Sequence, residues 1–142
     1  MITTLSQLIA QAESSQNPYA VRFEPLHRPA QVWVDRLALS AHISVDTAQT
    51  LCACSWGMYQ EMGDNLVAAG LTLSPVEFAS KPDLQTLFFR RFLQNNGIDF
   101  DLDAVLNDSA TRLEFATRYN GPGAPEAYGD YLLRTYAAYK GA

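Results

Sequence analysis

Residues 13–21 read ESSQNPYAV and mark the point where an amphipathic helix ends and an extended segment begins. The apolar residues of the preceding helix recur at the three- and four-residue spacing of one helix face: Leu5, Leu8, Ile9 and Ala12. Thr4 and Gln7 have the spacing of a capping box, which predicts where this helix begins. Asn17 precedes Pro18, and a residue before proline is disfavoured in the helical region, so the helix is predicted to end there.

Glu13 is predicted to lie in the last turn of this helix, at the edge of its apolar face. Partial burial and the nearby carbonyl groups at the helix C-terminus both favour the neutral form of a carboxyl group, so its pKa is predicted to be raised. A carboxyl that keeps its proton near neutral pH can act as a general acid. The alternative is that Glu13 is an ordinary solvated residue.

The length and composition indicate one globular domain over residues 1–142. The chain is 48% hydrophobic, and its 142 residues are enough to bury about two-thirds of the surface that the unfolded form exposes. Its net charge of −5 and pI near 4.8 argue against nucleic-acid binding, which uses basic surfaces. The same acidity gives no electrostatic attraction to an anionic polymer.

The sequence predicts neither a signal peptide nor a membrane span. The N-terminus has no basic segment followed by a long apolar run, and no apolar run approaches the ~20 residues that cross a bilayer. Cys52 and Cys54 are two apart on a predicted helix, so they lie on diverging faces and are not expected to form a disulfide. His27 and His42 are far from them in sequence, and neither a metal site nor a cofactor is predicted. The chain is therefore expected to fold in a reducing cytoplasm.

Secondary structure is predicted from apolar spacing and from capping residues. Residues 19–24 alternate between apolar and polar side chains and are predicted to form a short strand. Helices are predicted over about residues 30–39, 46–53, 57–69, 102–106 and 109–119, and over the C-terminal residues. A further helical stretch is predicted to begin at Ser74 and to contain the apolar stripe at residues 84–92. Ser109 is predicted to cap the helix that it begins. The tyrosines of the last helix are predicted to form a packing face.

Glu24, at the end of the predicted strand, has two interpretations. As a functional residue it is a second carboxylate that positions water or stabilises a developing positive charge. As a structural residue it pairs with Arg22, Arg28 or a helix end.

Three segments, in the same order, resemble motifs of the soluble lytic transglycosylases in the lysozyme-like superfamily. Glu13-Ser14, Asn17-Pro18 and Ala20-Val21 resemble the opening motif of that family. Residues 57–62, GMYQEM, resemble its Gly-Leu-Met-Gln-x-Met segment, and residues 119–123, YNGPG, resemble its Tyr-Asn-Ala-Gly-Pro segment. An insertion between the first and second motifs, with the local sequences FE at 23–24 and SWG at 55–57, makes the chain most similar to the phage-type N-acetylmuramidase domain. That domain occurs in endolysins and tail-associated lysins, and the resemblance covers essentially the whole chain.

The resemblance implies a mostly α, α+β lysozyme-like fold, in which a single helical domain has a small β element flanking a substrate cleft. It also implies cleavage of the β-1,4 bond between N-acetylmuramic acid and N-acetylglucosamine in peptidoglycan. Glu13 would protonate the departing glycosidic oxygen. Two possibilities remain open for the nucleophile. Water attacks with the help of Glu24, or the 6-hydroxyl of the sugar attacks to form a 1,6-anhydro product, as in a lytic transglycosylase.

The resemblance also implies a set of substrate-binding residues. Gly57 lets a backbone approach closely, and the amide of Gln60 can donate to and accept from an N-acetyl group. Tyr119 is expected near the catalytic carboxyl. Ser55 and Asn120 belong to the same motifs and are assigned to the substrate site with them. For the apolar residues of this segment, Met58, Tyr59 and Met62, the alternative is core packing, and it is the favoured interpretation of Met62.

A rival reading keeps the fold without the chemistry, as a non-catalytic wall-binding or structural module such as a phage tail component. Another reading is a plain helical interaction domain whose motif matches are accidental. In the catalytic readings the partner is the glycan strand of peptidoglycan. Because no signal peptide is predicted, the protein is expected to be made in the host cytoplasm. It is expected to act on the periplasmic cell wall after release through a holin-dependent route, after injection, or as part of a virion with phage tail proteins, and the sequence does not choose among these routes.

Overall fold

A computed structural model describes residues 1–141. Within these residues the chain forms nine α-helices and three short β-strands, in keeping with the mostly helical α+β class that the sequence predicts. The helices are α1 (Leu5–Ser14), α2 (Gln31–Ala41), α3 (Val45–Cys52), α4 (Gly63–Ala68), α5 (Pro75–Ala79), α6 (Pro82–Asn95), α7 (Leu102–Asn107), α8 (Ser109–Asn120) and α9 (Pro125–Gly141). The strands are β1 (Val21–Phe23), β2 (Cys54–Trp56) and β3 (Glu61–Met62).

The backbone contacts group the chain into two compact units. The first contains Met1–Gln16 and Arg91–Ala142, and the second contains Asn17–Arg90. Each unit is described separately below. The prediction of one domain over residues 1–142 stays a prediction.

In the first unit, α1 begins where the sequence predicts. The side chain of Thr4 accepts from the backbone N–H of Gln7, and the side chain of Gln7 accepts from the backbone N–H of Thr4, which completes the capping box. Leu8 and Ile9 are fully buried. The helix ends at Ser14, and Ser15 has a left-handed backbone with φ of 53° whose N–H satisfies the carbonyl of Gln11.

Helices α7, α8 and α9 complete the first unit, and the cap of α8 differs from the prediction. Asp108, not Ser109, is the N-cap, because its carboxylate accepts from the backbone N–H of Thr111 at 2.8 Å. Asp108 also ends α7, so the two helices join directly. The core of the unit includes Phe115 and Leu132, both fully buried.

The second unit contains a three-stranded antiparallel sheet in the order β1-β2-β3. Arg22 lies opposite Ser55, and Ser55 lies opposite Met62. The strand predicted over residues 19–24 is therefore confirmed in a shorter form. Helices α2 to α5 and most of α6 belong to the same unit, where Ser74 and Glu77 form a second capping box at α5. The stretch predicted to begin at Ser74 is broken, since α5 ends at Ala79 and α6 begins at Pro82.

The single helix predicted over residues 57–69 is wrong. Residues 57–60 form a turn, in which Gly57 has φ of 77° and Gln60 has φ of 51°, and neither value fits a right-handed helix. The turn is closed by the Gln60 N–H donating to the Gly57 carbonyl at 3.2 Å, and β3 follows it. Helix α4 begins only at Gly63, where an added Cβ would lie 2.2 Å from the carbonyl oxygen of Leu51. Contacts distant in sequence therefore override the local helical pattern.

Candidate active site

In the first unit, Glu13 lies in the last turn of α1 and is partly buried. The hydroxyl of Tyr128, on α9, donates to Oε1 of Glu13 at 2.9 Å. The hydroxyl of Tyr131, one turn further along α9, donates to the carbonyl of Ala12. The end of α1 that carries Glu13 is thus held by two tyrosines from a single helix.

Tyr119 lies at the end of α8 in a stack of aromatic rings. It stacks on Phe115 and on Tyr128, with ring centroids 5.5 Å apart in both pairs, and the ring of Phe92 meets its edge at 6.0 Å. The tyrosine that binds Glu13 is therefore itself positioned by Tyr119. Asn120 is exposed at the last position of α8.

Burial strongly raises the pKa of Tyr128, and the neighbouring Tyr119 and Glu13 raise it further. Tyr128 therefore keeps its proton at any working pH and stays a hydrogen-bond donor to Glu13. The sequence analysis assigned the tyrosines of the last helix to a packing face and missed this contact. Tyr128 and Tyr131 have the three-residue spacing of one helix face, but that spacing does not reveal which acceptor each hydroxyl meets.

In the second unit, Glu24 follows β1, and two donor side chains lie near its carboxyl group. Its Oε1 accepts from Nε of Arg22 at 2.5 Å and lies 3.2 Å from the hydroxyl of Ser55. Its backbone N–H donates to the carbonyl of Ala53 at 2.9 Å. The Glu24 side chain is 29% exposed and that of Arg22 is 62% exposed, so the ion pair is accessible to solvent.

Ser55 is almost fully buried on β2 and connects Glu24 with Gln60. Its hydroxyl donates most closely to Oε1 of Gln60, at 2.8 Å. The amide nitrogen of Gln60 donates to the carbonyls of Gly57 and Ala20, at 2.9 and 3.2 Å. Both ends of this amide are used within the protein, where they stabilise the left-handed turn before β3. The predicted contact of Gln60 with an N-acetyl group stays a prediction.

The space beside Gly57 is filled by Gln85, a residue that the sequence analysis did not identify. A Cβ on Gly57 would lie 2.4 Å from Oε1 of Gln85. Gln85 is 1% exposed; its Oε1 accepts from the N–H of Met58 at 2.9 Å, and its Nε2 donates to the carbonyl of Pro18 at 2.9 Å. The predicted close approach to Gly57 is therefore made by a buried amide of the chain itself.

Glu61 is a further titratable group of this unit. It lies on β3 opposite Trp56, and its Oε2 is buried without a hydrogen-bond partner among the described residues. Burial raises the pKa of Glu61 to about 8. Cys52 and Cys54 are both buried as free thiols, and burial raises the pKa of Cys52 to about 11.

A cavity of about 540 Å³ opens beside β1, and the lining includes both charged and apolar side chains: Arg22, Glu24, Pro25, Leu26, His27 and Met62. In residues 1–141, no three or more His, Cys, Asp and Glu side chains are grouped so as to hold a metal ion. None of the helices described is long and apolar enough to cross a membrane.

The helices and the small antiparallel sheet place the chain in the lysozyme-like class. A family model described as muramidase, N-acetylmuramidase, matches residues 11–140. An endolysin of Enterobacteria phage PRD1 is 33% identical over 146 residues, which cover 96% of this chain and 96% of the relative. No solved structure gives a significant match. The chain belongs to the N-acetylmuramidase family, whose activity is the degradation of peptidoglycan.

Proposed function

We propose that the protein cleaves the β-1,4 bond between N-acetylmuramic acid and N-acetylglucosamine, with Glu13 as the general acid. The observation that carries the proposal is the hydrogen bond from Tyr128 to Glu13, in a chain that belongs to the muramidase family. Glu13 gives its proton to the glycosidic oxygen as the bond to the sugar breaks. The glutamate becomes a carboxylate, and the Tyr128 hydroxyl stabilises that charge because it remains a donor.

Glu24 is proposed as the second carboxylate of the reaction. Nε of Arg22 donates to its Oε1 at 2.5 Å, and the Ser55 hydroxyl lies 3.2 Å from the same oxygen. A carboxylate can take a proton from the attacking water or stabilise the positive charge that develops on the sugar ring. This role favours hydrolysis and a reducing muramic acid end.

A lytic transglycosylase is the second candidate. The opening ESSQNPYAV segment and the YNGPG segment resemble those enzymes. In that reaction the 6-hydroxyl of the muramic acid attacks its own anomeric carbon, Glu13 recovers the proton, and no water is consumed. Glu24 would then serve only to hold the residues around β1.

The remaining site residues have distinct proposed roles. Tyr119 positions the Tyr128 ring, and Asn120 is exposed and able to contact the glycan. The Ser55 hydroxyl lies beside Glu24 and donates most closely to Gln60, while Gln60 and Gly57 define the turn behind Ser55. Apart from Asn120, these residues support the reacting groups through contacts within the protein.

The named relative supports a role in phage lysis. We propose that the chain acts as one peptidoglycan-cleaving domain, is made in the host cytoplasm and reaches the periplasmic wall. Passage through a holin-dependent route suits a free endolysin, whereas association with phage tail proteins suits a virion-borne lysin.

Mass spectrometry of the muropeptides released from purified peptidoglycan tests the proposal. Hydrolysis yields reducing ends, whereas transglycosylation yields anhydro ends that are lighter by one water. Glu13→Gln, prepared in parallel, should release neither. Wall binding without any released product from the unaltered protein would instead support the non-catalytic module.

A further inference from the structure

The four residues from Glu24 to His27 form a turn that is closed by a backbone hydrogen bond. The N–H of His27 donates to the carbonyl of Glu24 at 3.0 Å. Nη1 of Arg28 donates to the carbonyl of Pro25 at 2.7 Å, and Leu26 at the tip is 90% exposed. The turn is therefore a surface segment that depends on its ends for a defined position.

One end of this turn is attached to α4 by a side-chain pair. Nε2 of His27 lies 2.7 Å from Oδ2 of Asp64, a residue 37 positions further along the chain. Asp64 is 7% exposed, and its Oδ1 accepts from the N–H of Asn65 at 2.9 Å. A buried carboxylate needs such partners, because leaving it unpaired is costly. The pair therefore holds His27 at a defined place in the second unit.

At the other end of the turn, the side-chain contacts of Glu24 hold it less firmly than Asp64 holds His27. Arg22 is largely exposed, and an exposed ion pair contributes little to fixing its members. The Ser55 hydroxyl has one proton, and its closest acceptor is Gln60 rather than Glu24. The orientation of Glu24 thus depends on its backbone, which is fixed by the bond of its N–H to the Ala53 carbonyl and by the turn after it.

His27 and Glu24 also line the same cavity beside β1. A shift of the His27 ring would move the wall of that cavity and the turn that carries Glu24 together. We propose that His27, held by Asp64, is a positioning residue that fixes Glu24 for its part in glycan cleavage. The inference rests on the proposed role of Glu24 as the second carboxylate.

A double-mutant cycle tests the proposal, with solubilised glycan strands as substrate. His27→Leu removes the donor to Asp64, whereas His27→Gln keeps an amide nitrogen near the place of Nε2. We expect His27→Leu to lower kcat by about 10- to 100-fold, with KM changed by less than about threefold, since a misplacement of about 1 Å has effects of this size. His27→Gln should keep most of the activity.

The decisive comparison is made in the Glu24→Gln background. There, His27→Leu should cause no further loss of kcat, because the group that it positions is already gone. An equal fractional loss in both backgrounds, or full activity of His27→Leu, would overturn the proposal while leaving the role of Glu24 intact. Full activity of Glu24→Gln would overturn both.

A second variant addresses folding. His27→Leu leaves the Asp64 carboxylate buried without its partner, so the combined variant His27→Leu/Asp64→Asn removes that charge as well. Circular dichroism should show both variants folded at the assay temperature, and the combined variant should keep the kcat defect. Recovery of kcat in the combined variant would show that the loss came from the buried charge and would overturn the positioning role.

Discussion

The hydroxyl of Tyr128 donates a hydrogen bond to Oε1 of Glu13 at 2.9 Å, although the two residues are 115 positions apart. Tyr128 is partly buried, and desolvation raises its pKa so that the hydroxyl stays protonated. The candidate acid therefore has a permanent donor that stabilises its charged form after proton transfer.

Tyr128→Phe removes only that hydroxyl, so wall-degrading kcat should fall by about tenfold, the effect of one hydrogen bond to a charged group. Tyr136→Phe on the same helix is the matched control and should stay within about twofold of the unaltered protein. Turbidity clearing of purified cell walls measures both. Equal losses in the two variants would show that the Glu13 contact has no specific role.

Glu13→Gln should lower activity by about 10²-fold or more, since general acid catalysis contributes ~10² to 10⁴ and the amide has no proton to give. The melting temperature should change little, because the amide oxygen can still accept from Tyr128. Glu126→Gln, at an exposed position of α9, is the control. A folded and fully active Glu13→Gln protein would refute the general-acid assignment.

Glu24→Gln distinguishes hydrolysis by water from attack by the 6-hydroxyl of the sugar. If the products have reducing ends, the variant should turn over at least about tenfold more slowly, because it lacks the carboxylate that assists water. If the products are anhydro ends, the loss should be small or should accompany a lower melting temperature. Reducing-end products from a stable and unimpaired variant would remove Glu24 from the mechanism.

Glu61 should make stability depend on pH. Its pKa is about 8 in the folded chain and near 4.5 for an unburied glutamate, so between these values the folded state holds a proton that the unfolded state has released. The contribution of Glu61 to the free energy of unfolding is then greatest below about pH 4.5 and decreases as pH rises to about 8. Glu61→Gln removes this titration. The free energy of unfolding of the variant should therefore rise relative to that of the unaltered protein by up to about 1.4 kcal/mol per pH unit across that window.

Urea unfolding at pH 4.5, 6, 7 and 8.5 measures the difference between the two proteins. Glu126→Gln should show no comparable trend, because Glu126 is exposed. A constant difference across the four pH values would mean that the buried carboxyl does not take up a proton on folding.

Gly57→Ala should destabilise the second unit by about 1–3 kcal/mol. The backbone at Gly57 is left-handed, and the new Cβ would lie 2.4 Å from Oε1 of the buried Gln85. Gly123→Ala is the matched control, because no atom lies within 4 Å of a Cβ added there. Thermal unfolding measures both; an unchanged melting temperature for Gly57→Ala would show that Gln85 moves at little cost.

Local patterns predicted several elements of this protein well. The Thr4 and Gln7 capping box begins α1, Glu13 lies in its last turn, and the alternating residues before Pro25 contain β1. These features depend on neighbours within about four residues, so the sequence determines them by itself. The ordered motifs also predicted the family, because their residue types and order can be read without coordinates.

Tertiary structure decided the features that depend on distant partners. The helix predicted over residues 57–69 is replaced by a turn and β3, since β3 pairs with β2 and Gln85 occupies the space beside Gly57. The acceptor of Tyr128 and the pairing of His27 with Asp64 join residues far apart in sequence. Apolar spacing predicts only that the tyrosines of the last helix form a packing face. Which polar atom each one meets there is set by packing between elements, because a hydrogen bond requires a partner within about 3 Å.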